Sequence, residues 1–152
     1  MENNCLNHVI EDKFIAENDM FCVADGVTRD FPDDTPLTYP NTLDDALHIV
    51  NNYQNPSGAA KAAQICVDTV ISYFKNIQCI SQNALYRSLK LANSKIRDLN
   101  KDRKINYLSE DYFNCVAVGG VITENSLYCF SIGDSEIKVI DKDFNVIFDS
   151  SI

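Results

Sequence analysis

The chain is short of basic residues, of histidine and of long apolar runs, and each shortage argues against a class of function. Its 13 lysines and arginines stand against 22 aspartates and glutamates, a formal charge of −9 over 152 residues. A field of that sign repels nucleic acid and anionic membrane, which argues against both as partners. It repels an anionic substrate too, unless a bound cation reverses the local potential. No apolar run approaches the ~20 residues of a membrane span, and the opening Met1-Glu2-Asn3-Asn4 lacks the basic segment and apolar stretch of a secretory leader. His8 and His48 have no companion at ligand spacing, which argues against zinc. The six cysteines (Cys5, Cys22, Cys66, Cys79, Cys115, Cys129) form no Cys-x-x-Cys pair. Four fall in apolar periodic segments, where cysteine acts as a small core residue. They read as reduced thiols, and the chain as cytoplasmic. A thiol phosphatase needs a C-x5-R loop; the nearest approach, Cys22 to Arg29, sets the cysteine inside a strand and is one residue too long. A Ser-His-Asp hydrolase fails because neither histidine lies near a nucleophile-bearing turn.

What is present is a core: 45% of residues are hydrophobic, enough for a single domain spanning 1–152. Met20-Phe21-Cys22-Val23-Ala24 is a short apolar run with a β-branched centre, a buried strand that stops at Asp25-Gly26. Before it, Val9 to Ala16 reads as a partner strand carrying Glu11 and Asp12, with Glu17-Asn18-Asp19 as the turn. Three prolines between 30 and 41 make a loop. Thr42, with Asp45 three residues on, opens a short helix to about Val50. Ser57 caps a longer one whose apolar face is Ala59, Ala63, Cys66, Val70 and Phe74. A further helix, from about Ser81 to Leu99, buries Leu85, Leu89, Ala92, Ile96 and Leu99. It turns Arg87, Lys90, Lys95 and Arg97 to water as a solvated face. After a polar loop at 101–109, the pattern predicts an antiparallel meander of four strands. These are Asn114–Thr123, Ser126–Ile132, Glu136–Asp141 and Phe144–Phe148, turning at Glu124-Asn125, Gly133-Asp134-Ser135 and Asp141-Lys142-Asp143. Strands, then helices, then strands predict an α+β domain with helices packed on a sheet face.

The acids at strand ends carry the chemistry. A plain Asp-Gly turn explains Asp25-Gly26 taken alone. In an antiparallel pair, however, the entry of one strand lies beside the exit of the next, so Glu11, Asp12 and Asp25 are expected at one rim. Asp134 emerges from the sheet in the same manner. Such carboxylates repel unless a cation holds them, and all-oxygen ligation suits Mg²⁺ or Mn²⁺.

These residues resemble the metal-dependent protein phosphatases of type 2C. The likeness rests on Glu11-Asp12, on Val23-Ala24-Asp25-Gly26, on Ser57-Gly58-Ala59-Ala60 opening the first long helix, and on Ile132-Gly133-Asp134-Ser135, in that order along nearly the whole chain. The resemblance implies an α-β-β-α sandwich of antiparallel sheets flanked by helices, with two Mn²⁺ or Mg²⁺ ions at one end. Asp25 would bridge both ions and the Gly26 carbonyl would bind one. Glu11 and Asp12 would hold the ions or their waters, and Asp134 would orient a water or join a third-ion site. The implied reaction is hydrolysis of phosphoserine or phosphothreonine in a phosphoprotein, by in-line attack without a phosphoenzyme.

The chain departs from the family pattern in several places. Asn7 stands where the family carries a phosphate-clamping arginine, a role His8 or Arg29 could take. Val27-Thr28-Arg29-Asp30 replaces the usual glycines, Phe113-Asn114-Cys115-Val116 replaces a small-residue strand entry, and Glu136 stands at a usually basic position. The family's two C-terminal metal aspartates have no counterpart, so the chain is expected to be the N-terminal part of such a domain, or a shortened relative. The alternative reading is a catalytically inactive pseudophosphatase that binds phosphoproteins or regulates a partner.

Overall fold

Asn and Asp tolerate a left-handed backbone better than other residues with a side chain, and Asn18 and Asp19 both adopt it, at φ 45° and 64°. They close a two-residue hairpin whose twist matches its flanking strands. In the computed structural model, which describes residues 11–27, 42–52, 56–101 and 112–151, this hairpin joins β1 (Lys13–Glu17) to β2 (Met20–Val27). The expected strand residues Val9 and Ile10, the proline loop and most of the 101–109 loop lie outside the described residues.

Three helices follow, each opened by a capping side chain. At α1 (Leu43–Asn52) the Asp45 N–H donates to Thr42 Oγ1 and the Thr42 N–H donates to Asp45 Oδ2, both at 3.1 Å. The Ala60 N–H donates to Ser57 Oγ at 3.0 Å to start α2 (Gly58–Lys75). The Ala84 N–H donates to Ser81 Oγ at 3.2 Å to start α3 (Gln82–Leu99). Then come β3 (Asn114–Ile122), β4 (Leu127–Ile132), β5 (Lys138–Ile140) and β6 (Val146–Asp149). The domain is α+β.

The main sheet has the order β1-β2-β3-β4, antiparallel throughout. α2 packs across β1, β2 and β3, and α3 packs on α2 and β4. Small residues set the closeness of that contact. Ala59, Ala62 and Ala63 on α2 are fully buried, and Gly26 and Gly119 leave room on the sheet for Ala59 and the Phe130 ring. The core continues through Val67, Val70, Ile71 and Phe74 to Leu85 and Ala92 of α3 and Ala117, Val121 and Phe130 of the sheet. The apolar stripe expected for α2 is buried in full, and Arg87, Lys90, Lys95 and Arg97 of α3 are exposed as expected. The other face of the sheet carries exposed apolar side chains, among them Phe14 (76% exposed), Val23 and Ile122.

The expected four-strand meander divides into two parts. β3 and β4 join the main sheet, whereas β5 and β6 pair only with each other. The cause lies at Gly133, whose φ of 81° takes the chain out of extended geometry, and the stretch from there to Ile137 forms no strand before β5 begins.

Asn100 joins the helical layer to β3. Its side chain accepts the Phe113 N–H at 2.8 Å and donates to the carbonyls of Phe113 (2.7 Å) and Ile96 (2.9 Å), and it is 6% exposed. Asn100→Ala strands a buried donor and acceptor on Phe113. The expected cost is about 2–5 kcal/mol in chemical denaturation, because each buried unsatisfied group costs about 1–3 kcal/mol.

Candidate functional site

Strand register brings the acids together. Lys13 pairs with Ala24, so one further step sets Asp12 beside Asp25. Asp25 pairs with Val116 of β3. Ala117 pairs with Ile132, so one further step sets Gly133 beside Val116. Asp12, Asp25, Val116 and Gly133 thus form a row across one end of the sheet, with Asp134 next in the chain. A side chain at Gly133 would meet Val116, since a Cβ there would lie 2.3 Å from Val116 Cγ1. That close approach, together with the positive φ, is why the turn that carries Asp134 needs glycine.

β2 does not end at Asp25-Gly26, as the sequence suggested. Its ladder with β3 runs on to Val27 opposite Asn114, so Asp25 is a residue within the strand. The alternation of the strand then separates the pair. Asp25 is exposed on the helix-free face, while Gly26 is buried beneath α2. A Cβ on Gly26 would lie 2.6 Å from the Ala59 backbone.

Glu11 is held from the helical side. Ser57, fully buried, accepts the Ala60 N–H as N-cap and donates its own proton to Glu11 Oε1. The contact joins residues 46 positions apart, and sequence reasoning saw only the cap. No periodicity announces a partner at that distance. A carboxylate at the first turn of α2 also lies at the positive end of the helix dipole.

The electrostatics record how close the acids are. The Asp25 carboxyl is held above the usual carboxylate range, first by lost hydration, then by its hydrogen bond with Asp12, then by the negative charges of Asp12, Asp134 and Glu11. The other three acids named from the sequence therefore all act on Asp25, and Gly26 adjoins it in the chain. Asn7, His8 and Arg29, considered for phosphate binding, lie outside the described residues.

Oxygen-only donors suit a hard divalent cation in their chemistry, and such a cation would offset the repulsion among them. The fit is that of a pair with two nearby acids: among the described residues no three His, Cys, Asp or Glu side chains form a ready metal cage. Three thiols meet in the core, where the pKa of Cys66, 4% exposed, is held down at about 4 by hydrogen bonds from Cys115 and then Cys22, against the opposing effect of burial. Cys22 and Cys115 hydrogen-bond to Cys66, and that bonding together with burial holds both well above the ordinary thiol range. They remain protonated and unreactive. All five described cysteines are free.

Among known proteins, the chain matches no family model and no curated sequence. No helix among the described residues is long and apolar enough to cross a membrane.

Two outcomes follow from the geometry. Asp25 binds its proton more tightly in the folded than in the unfolded state. Its contribution to stability is therefore full below the ordinary carboxylate range and is lost as pH rises through its raised pKa. Asp25→Asn removes that loss. In chelator at pH 7 the melting temperature should rise, by about 2–4 °C for each kcal/mol of repulsion relieved, and the gain should vanish at pH 3. Gly26→Ala forces a methyl against the Ala59 backbone, and thermal melts should show a loss of about 1–3 kcal/mol, the usual cost of overpacking.

Proposed function

We propose that the chain is a metal-dependent phosphatase domain of the type 2C kind, acting on phosphoserine and phosphothreonine in cytoplasmic phosphoproteins. The observation that supports this best is that Asp12, Asp134 and Glu11 all act on Asp25 at one end of the sheet, although 109 positions separate Asp25 from Asp134. A fold gains nothing from crowding like charges; a site for divalent cations does. Mn²⁺ or Mg²⁺ bound there supplies the positive charge that draws a phosphate ester to a protein of net charge −9 and the Lewis acidity that its hydrolysis needs.

The chain's own residues have distinct tasks in this reading. Asp25 and Asp12 would be the principal ligands of such an ion, with the Gly26 carbonyl as a neutral donor. Ser57 keeps Glu11 turned toward the sheet end. Asp134, carried on the Gly133 turn, orients water by accepting its proton. In this reading the attack on phosphorus is in line and direct, by water and without a phosphoenzyme.

The open arrangement of the acids favours one other reading, a pseudophosphatase that binds phosphoproteins without turnover. Hydrolysis of p-nitrophenyl phosphate separates the two. The wild-type chain should hydrolyse it only with Mn²⁺ or Mg²⁺, and Asp25→Asn should lower the rate by ~100-fold or more, since even residues that merely support a metal ligand are worth about 10–100-fold. Mn²⁺-dependent turnover that survives Asp25→Asn contradicts the assignment. Phosphopeptide binding without turnover supports the alternative.

A further inference from the structure

A groove of about 790 Å³ opens between the last turns of α3 and the start of β3, within the size range of ligand sites. Arg97 and Lys101 line it one helical turn apart, with Asn93, Ser94, Tyr112 and Asn114 around them. The two cations form no ion pair with a described residue. Among the described residues of the wall, Asp98 is the single acid against these two cations. The end of a helix ordinarily disfavours an anion, because its last carbonyls are bare. Here the carbonyls of Ile96, Arg97 and Asp98 accept the amides of Asn100 and Lys101, which removes much of that penalty.

The groove also reaches the acidic row. Asn114, on its wall, lies opposite Val27, two residues beyond Asp25 on the same face of the sheet. Strand rise makes that separation about 7 Å. A peptide that runs from the acidic row past the end of β2 therefore meets the mouth of the groove at Asn114.

We propose that this groove binds an acidic segment flanking the phosphorylated residue of the substrate, with Arg97 and Lys101 pairing to its carboxylates. The inference rests on the phosphatase reading for calling that segment substrate, and on the groove alone for its acidic character. It gives the two residues a task beyond the solvated face that the sequence suggested for Arg97.

The test is fluorescence anisotropy on the full chain in chelator, with a labelled, unphosphorylated peptide of alternating Asp and Glu as the probe and its Asn/Gln counterpart as control. The acidic peptide should bind at low salt and weaken as salt rises. The Arg97→Ala/Lys101→Ala double variant should bind it about tenfold more weakly. Both side chains are exposed, and an unchanged melting temperature verifies that the variant is folded. Absence of binding, equal binding of the Asn/Gln peptide, or wild-type affinity in the double variant overturns the proposal. Hydrolysis of p-nitrophenyl phosphate by the wild-type chain is read in parallel. Its absence counts against the phosphatase reading and leaves the peptide result standing.

Discussion

Repulsion between carboxylates held in place by a packed layer is the constraint on which the rest of the structure turns. α2 lies close on the sheet because small residues face each other there, Ala59 and Ala63 against Gly26 and its neighbours. That contact fixes the end of β2, and with it Asp25, as one rigid body with the first turn of α2. Register then sets Asp12 on one side and the Gly133 turn on the other. The acids cannot separate without slipping a strand, and a one-residue slip would turn the buried Cys22 and Ala24 out to solvent. The core thus holds charges together that would otherwise move apart, and after lost hydration and the Asp12 hydrogen bond their repulsion helps to raise the pKa of Asp25.

The helical layer contributes more than burial. Ser57 is at once the cap of α2 and the donor to Glu11, so the helix that anchors the sheet also orients an acid at its end. Asn100 performs a related task on the far side, where it ties the end of α3 to Phe113, whose ring lies over Gly58 at the start of α2. Both ends of the helical layer therefore meet the sheet near the acidic row. The basic groove beside Asn114 is formed by the same junction.

Much of this could be read in the chain before any coordinates. The caps at Thr42 and Ser57 and the stripe from Ala59 to Phe74 depend on local chemistry and a 3.6-residue period, and these survive in the sequence. The acids at Glu11, Asp12, Asp25 and Asp134 were found because strand ends are marked by glycine and turn residues. What could not be read was set by pairing between distant segments. β2 continues through Asp25 because β3 supplies a partner as far as Asn114, and nothing within Met20–Val27 encodes that. β5 and β6 leave the meander through the backbone at Gly133, where the sequence suggested only a tight turn. The bond between Ser57 and Glu11 and the groove at Arg97 likewise exist only once the layers are assembled.

The central claim is that divalent ions neutralise the row formed by Asp12 and Asp25, and titration calorimetry of Mn²⁺ into the intact chain tests it most directly. The account predicts saturable binding that weakens as pH falls, because the raised Asp25 carboxyl holds its proton against the ion, with the signal lost in the Asp12→Asn/Asp25→Asn double variant. Binding of equal strength in wild type and variant, or no binding at millimolar Mn²⁺, would contradict it.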